Sequence, residues 1–360
     1  MSIPPTHVRK VRARGVGGGK LSNVLTSFAF RENRRKVLAW EDKFVPELKL
    51  KLRGSIPANL MPFKNDLSID EAQYRRHLHW LADVPGVGAI VCNGHAAEVA
   101  SLTEDEQRRA IAIAKDEVGS NIKLIAGVFT DGTAHAVRLA RNAKAEGADG
   151  VLVFPPSLFM SGANLRPEMA YRHFASIASE ADIPIVVFQY PVANGWGYST
   201  EILLKLAEIE NVVAVKDWSQ DIVSFERNMR ALRSAPRPIA VLSSFSASLY
   251  ATFALGADGA ISGMGSVVAD WQAQMFDAVR RGDMKTAQAL NDKHFVLSQA
   301  FYAPPFLDMH NRMKEALVML GRLDRAVVRQ PLEKIPPSDM ERVQSALIKT
   351  GLLQASNALA

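Results

Sequence analysis

The stretch Asn211-Val212-Val213-Ala214-Val215-Lys216-Asp217 places four consecutive apolar residues before a lysine. A segment that is apolar at every position is typical of a strand buried on both faces, as in a parallel sheet covered by helices. Period-two alternation puts Lys216 on the same side as Ala214, whose small side chain leaves room for a lysine stem. The stretch therefore predicts a buried strand that carries an amine at its carboxyl end.

Seven further runs of this kind alternate with amphipathic segments. Two of those segments begin with a capping-box pattern, Ser68 with Glu71 and Thr103 with Glu106. Eight β-α units in about 220 residues match a (β/α)8 TIM barrel. A doubly wound dinucleotide fold would need glycines after its first strand, where Met61-Pro62-Phe63 stands instead. The eight predicted strands are 52–60, 87–92, 122–128, 150–154, 185–190, 212–216, 239–243 and 259–262.

The domain organisation follows from the positions of the predicted strands and helices and from the distribution of charged residues along the chain. Residues 48–270 are predicted to form the barrel, and residues 271–360 to form C-terminal helices packed on it. The net charge of +6 falls within residues 1–47, which hold ten Lys or Arg against four acids. We expect these residues to form a basic, flexible arm, although a transit peptide has the same composition. The remaining residues have no net charge and therefore lack the basic footprint of a nucleic-acid-binding protein.

Composition also restricts the cellular environment. No apolar run approaches the roughly 20 residues that a membrane-spanning helix needs. Cys92 is the only cysteine, which excludes a disulfide scaffold and a cysteine-built zinc site. These features predict a cytoplasmic protein with no membrane partner.

Lys216 is the strongest candidate for chemistry, because barrel enzymes place their active sites at the carboxyl ends of the strands. Burial disfavours an ammonium ion, so the amine pKa should fall and the neutral amine become a nucleophile toward carbonyl carbon. The alternative is a lysine whose charge simply extends into solvent at a strand end.

Four segments in order resemble the dihydrodipicolinate synthase and N-acetylneuraminate lyase family of pyruvate-dependent class I aldolases. The four segments are 54–63, 93–103, 147–156 and 211–217. The second of them contains the motif Asn93-Gly94-His95-Ala96-Ala97-Glu98. The resemblance as a whole spans about residues 52–353. The resemblance implies that Lys216 forms a Schiff base with a small 2-oxo acid. It also implies a homo-oligomer, tetramer or dimer, and requires no cofactor or metal.

Several positions depart from the family pattern. His95 and Ala96 stand where the family has two threonines, and Phe188 stands where it has the catalytic tyrosine. Ser157 takes the place of a second relay tyrosine. The arginine that binds a second carboxylate falls near Ala193, so lysine biosynthesis is disfavoured.

A proton carrier is still required for Schiff-base chemistry. His95 and Tyr190 are the candidates, and their alternatives are a hydrogen-bonded loop histidine and a phenol packed in the barrel mouth. Glu98 is expected to be structural, near the free amides of a helix start, rather than part of a metal site with His95. The other histidines, His310 among them, are expected on the outer surface or between helices.

The sequence therefore predicts a lyase acting on pyruvate or another 2-oxo acid with an apolar or aromatic partner, as an aldolase or hydratase-aldolase. A 2-keto-3-deoxy sugar acid dehydratase or aldolase is one alternative, and a non-catalytic 2-oxo-acid-binding barrel is another. Aromatic side chains at strand ends can also serve only as packing. The expected substrate-binding residues are Gly94, Ala96, Ser157, Phe188, Trp218, Phe245 and Gly263, with Met264 nearby.

Overall fold

The computed structural model describes residues 47–354. The basic arm predicted for residues 1–47 lies outside the described residues apart from Glu47. Within the described range, no helix is both long enough and apolar enough to cross a bilayer.

Eight parallel strands surround a common axis in the order β1-β8-β7-β6-β5-β4-β3-β2. Backbone bridges from Ser55 to Val87 and from Ala58 to Val91 bring β1 and β2 together and close the ring. The predicted (β/α)8 barrel is confirmed. The strands are β1 (Gly54–Pro57), β2 (Ala89–Cys92), β3 (Lys123–Val128), β4 (Gly150–Val153), β5 (Ile185–Gln189), β6 (Val212–Asp217), β7 (Ala240–Ser243) and β8 (Gly259–Ser262).

One helix follows each strand, and three more follow the barrel. The barrel helices are α1 (Glu71–Ala82), α2 (Glu104–Val118), α3 (Thr133–Ala145), α4 (Pro167–Ala181), α5 (Thr200–Ala207), α6 (Ile222–Ser234), α7 (Leu249–Leu255) and α8 (Gly265–Arg281). The C-terminal helices are α9 (Met284–Phe301), α10 (Met309–Met319) and α11 (Pro337–Lys349). Residue 270, the predicted end of the barrel, lies within α8.

Apolar side chains alternate between two layers along the strands. Ile90, Val151 and Val241 join the layer between strands and helices. Val91 and Leu152 belong instead to the cluster that fills the barrel interior and continues onto the C-terminal helices. This alternation is the period-two pattern of a sheet covered on both faces.

A β-bulge in β6 decides which way Lys216 points. Ile185 of β5 pairs with Val212, but the next residue of β5, Val186, pairs with Ala214, so Val213 is an extra residue. Val212 belongs to the outer layer, and uninterrupted alternation would put Lys216 there too. The bulge shifts the alternation by one residue and turns Lys216 toward the barrel interior.

The two predicted helix starts had different outcomes. The Thr103 side chain accepts from the Glu106 amide and Glu106 in turn accepts from the Thr103 amide, which confirms this capping box. The prediction of Ser68 with Glu71 was wrong. Asp70 caps α1 by accepting from the Gln73 amide, whereas the Ser68 hydroxyl and amide donate to Asp66 in the preceding turn.

Candidate active site

A cavity of about 70 Å³ lies at the carboxyl ends of the strands, beneath the segment that joins α9 to α10. Its volume has room for about five water molecules or a small organic acid. Eight of the predicted site residues line it: Lys216, His95, Tyr190, Gly94, Ala96, Phe188, Trp218 and Gly263.

Lys216 enters this cavity from the end of β6 and is 9% exposed. It pairs across the sheet with Phe188 of β5, and its Nζ lies 3.8 Å from the centroid of the Phe188 ring. Among residues 47–354, no carboxylate lies within ion-pair distance of this amine. Burial lowers the pKa of Lys216 to about 7, so a large fraction of the amine is neutral near neutrality.

His95 and Tyr190 meet in the same cavity, with His95 Nε2 2.6 Å from the Tyr190 hydroxyl. One side of His95 is exposed at the barrel mouth, while the edges of Phe129 and Phe154 enclose the rest of the ring, at 5.4 and 4.6 Å between centroids. This enclosure, with the charge of Lys216, lowers the pKa of His95 to about 4. Burial raises the pKa of Tyr190. A neutral imidazole and a protonated phenol therefore share one hydrogen bond.

The loop after β2 that carries His95 is held by its backbone. Asn93 adopts a left-handed conformation, φ 50°, and its side chain donates to the Gln107 carbonyl. A Cβ on Gly127 of β3 would lie 1.9 Å from the Asn93 carbonyl oxygen, so glycine is required for the loop to approach this strand. A short 3-10 turn, His95–Ala97, follows.

Glu98 ends this turn, and its position and partners differ from those predicted. It has φ 53° and lies between two 3-10 turns, before the α-helix α2 begins at Glu104. Its carboxylate accepts from Lys314 of α10 and from the Arg329 amide, at 3.0 Å. Both members of the Glu98–Lys314 pair are buried. The carboxylate is thus structural, as expected, but it joins the β2 loop to the C-terminal helices.

The segment between α9 and α10 and the first turn of α10 supply four cavity residues that were not predicted from the sequence: Tyr302, Phe306, Met309 and His310. The prediction that His310 lies on the outer surface or between helices was wrong. Ser244 and Ser246, after β7, also line the cavity. The Trp218 ring stacks on Phe306 at 5.7 Å and 17°, and Phe306 stacks on Tyr302 at 5.8 Å and 28°.

Residues 51–350 match the model of the dihydrodipicolinate synthetase family. The chain belongs to this family. It is 32% identical to the 4-hydroxy-tetrahydrodipicolinate synthase of Nitrobacter hamburgensis over 305 residues, which cover 85% of this chain and 99% of the relative.

Solved structures agree with this assignment. The dihydrodipicolinate synthase of Aquifex aeolicus superposes with a TM-score of 0.75 and 29% identity, over 84% of this chain and 100% of the other. The chloride-inhibited enzyme of Acinetobacter baumannii complexed with pyruvate gives 0.74 and 25%, over 84% and 100%. As a member of the dihydrodipicolinate synthetase family, the chain is a lyase of the pyruvate-dependent aldolase type.

Not every site residue predicted for this family member reaches the cavity. The Ser157 hydroxyl donates to Asp131 at 2.6 Å on the exposed surface. The Phe245 ring packs against Phe225 of α6 at 5.6 Å, in the layer between strands and helices. Met264 is fully buried beside the cavity without lining it. In residues 47–354, no cluster of three His, Cys, Asp or Glu side chains is arranged to bind a metal ion.

Proposed function

We propose that this family member forms a Schiff base between Lys216 and pyruvate or a related 2-oxo acid, and that the resulting enamine makes or breaks a carbon–carbon bond. The observation that carries the proposal is the surroundings of the Lys216 amine, which touches the Phe188 ring and has no carboxylate partner among the described residues. A buried amine of this kind is a nucleophile at neutral pH.

The chemistry requires proton transfer at each step. The Lys216 nitrogen bonds to the ketone carbon, and the oxygen takes a proton as the nitrogen loses one, giving a carbinolamine. That hydroxyl takes up a second proton and leaves as water, which gives an iminium ion, and removal of a methyl proton then gives the enamine. The enamine carbon bonds to the carbonyl carbon of an aldehyde while the aldehyde oxygen takes up a proton, or the reverse step releases the aldehyde. Water hydrolyses the iminium to restore the amine.

Tyr190 and His95 are the proposed proton carriers. They share the cavity with Lys216 and are bonded to each other at 2.6 Å. Tyr190 is buried, whereas His95 is open to the barrel mouth on one side, so the pair can pass a proton between the cavity and solvent. In this proposal the Tyr190 hydroxyl takes over from the phenol that Phe188 replaces.

The partner substrate is proposed to be apolar or aromatic. Trp218, Phe306 and Tyr302 stack at the cavity mouth, and no acidic side chain or arginine is among the described residues that line the cavity. Such a wall suits a flat apolar group better than a polyol or a second carboxylate.

We further expect a homo-oligomer, which sedimentation velocity can measure.

Deuterium exchange tests the proposed function directly. An enzyme that forms the enamine should exchange the methyl protons of pyruvate for deuterium in D₂O, followed by NMR, and Lys216→Ala should not. A matched control is Lys205→Ala, on the exposed side of α5. A wild-type protein that leaves the methyl protons unexchanged would contradict enamine formation and favour a non-catalytic binding barrel.

A panel of aldehydes tests the partner. With pyruvate, benzaldehyde should be consumed faster than glyceraldehyde. A preference for the polyhydroxylated aldehyde would replace the aromatic partner with the sugar-acid alternative, and would leave the Schiff base itself in place.

A further inference from the structure

His310 reaches the active-site cavity from the first turn of α10. A Cβ built on Gly263, after β8, would lie 3.0 Å from His310 Nε2 and 3.8 Å from the Ala96 Cβ. The imidazole thus covers the Gly263 backbone beside Ala96. A side chain at residue 263 would crowd the His310 ring unless the ring shifted.

Two buried contacts hold α10 in this position. Lys314, one turn after His310 and on the same face of the helix, pairs with Glu98 of the β2 loop. Arg312 pairs with Asp339 at 2.6 Å, and its guanidinium also donates to the carbonyl oxygens of Phe301 and Ala303. The His310 ring is therefore presented to the cavity by a fixed element and not by a loose chain end.

The ring has unused hydrogen-bonding capacity. Within residues 47–354, neither nitrogen of the His310 ring has a hydrogen-bond partner, although the ring is partly buried. Its charged or ionisable neighbours are His95, Lys216 and Lys314. The described cavity lining contains no carboxylate, so nothing in it competes with a bound anion for the imidazole. An unpaired polar group in a partly enclosed site calls for an explanation, and a bound ligand is one.

We propose that His310 recognises the carboxylate of the 2-oxo acid whose ketone reacts with Lys216, by donating a ring N–H to a carboxylate oxygen. The proposal rests on the proposed function, since it concerns the substrate of the same cavity. The Nε2 atom of His95 is already bonded to Tyr190, whereas no hydrogen bond engages either nitrogen of His310 among the described residues. Ala96, beside the ring, has no hydroxyl that could do so.

The test compares pyruvate with methyl pyruvate, a neutral ester of similar shape. Borohydride trapping measures the concentration of each ketone that gives half the maximal yield of reduced adduct on Lys216. In His310→Ala the half-saturating concentration of pyruvate should rise about 10- to 100-fold, the loss expected for one hydrogen bond to a charged group. That of methyl pyruvate should change less than threefold, and His310→Gln, which keeps an N–H donor, should recover part of the pyruvate affinity.

The controls separate the possible failures. His79→Ala, a surface histidine of α1, should leave both ketones unaffected, and circular dichroism should confirm that each variant is folded. If wild-type protein forms no adduct at all, the proposed function fails. If wild-type forms the adduct but His310→Ala affects neither ketone, or affects both equally, the role of His310 as a carboxylate-binding residue is refuted while the Schiff base stands.

Discussion

The Tyr190 hydroxyl lies 2.6 Å from His95 Nε2 and so connects the end of β5 with the loop after β2. Neither residue is near the other in the chain, and the barrel brings them together because both follow the carboxyl ends of strands. The phenol sits two residues beyond Phe188, whose ring contacts the Lys216 amine. The proposed proton-transfer group and the proposed nucleophile therefore lie on neighbouring strands.

Tyr190→Phe should slow pyruvate methyl exchange about 100-fold or more, the usual loss when a general acid–base group is removed. Its melting temperature should change little, because the ring and its packing on Phe188 remain. Tyr171→Phe, an exposed tyrosine of α4, is the matched control. An exchange rate within threefold of wild type would contradict the role of the phenol.

His95→Ala should slow the same exchange by a comparable factor and should not add much to the loss in Tyr190→Phe, since the two side chains act through one hydrogen bond. The double variant compared with each single variant measures this coupling. If the rate loss in the double variant equals the product of the losses in the two single variants, His95 does not act through Tyr190.

The rate of adduct formation should rise with pH through about 7, where the Lys216 amine loses its proton, and not near the ordinary value of 10.5. The lowered pKa of Lys216 also makes the stability of the fold depend on pH. Because the pKa in the folded protein lies below the value in the unfolded chain, the unfolded chain binds more protons between about pH 7 and 10.5. The free energy of unfolding therefore rises with pH across that window. Lys216→Met should therefore raise the melting temperature more at pH 7 than at pH 10. An equal effect at both pH values would contradict the lowered pKa.

Glu98→Gln should destabilise the fold by about 3–5 kcal/mol, because it leaves the buried Lys314 charge without its partner. Adding Lys314→Met should recover most of the loss, and urea unfolding measures both. Arg230→Ala, which breaks the exposed pair with Glu226, should cost about 0–1 kcal/mol. A Glu98→Gln effect as small as the surface control would mean that this pair does not hold the β2 loop to α10.

Phe306→Ala should reduce turnover of benzaldehyde at least tenfold while leaving pyruvate exchange within threefold of wild type, because Phe306 is the middle ring of the stack at the mouth. Leu307→Ala, at the adjacent and more exposed position, serves as the control. Equal losses for the aldehyde and for pyruvate exchange would show that the stack is packing alone.

The strands and Lys216 could be predicted because their signal is local. Continuous apolar runs mark buried strands, and Gly259–Ser262 coincides with the predicted strand. The inward direction of Lys216 was inferred from Ala214, but its cause, the extra residue Val213, depends on pairing with β5 and has no mark in the sequence of β6.

The rest of the site depends on contacts between distant segments. His310 and Phe306 lie in a helical region with no strand-end pattern. The docking of α10, held through Lys314 and Arg312, brings them over the barrel. Phe245 was expected at the cavity because it follows β7, yet it packs outward on Phe225 while its neighbours Ser244 and Ser246 line the wall.

The proposed Schiff base at Lys216 can be detected by mass spectrometry of protein reduced with borohydride in the presence of millimolar pyruvate. We expect one adduct per chain, mapped by proteolysis to Lys216, formed at neutral pH and absent in Lys216→Ala. An unmodified wild-type protein, or an adduct on another lysine, would contradict this proposal.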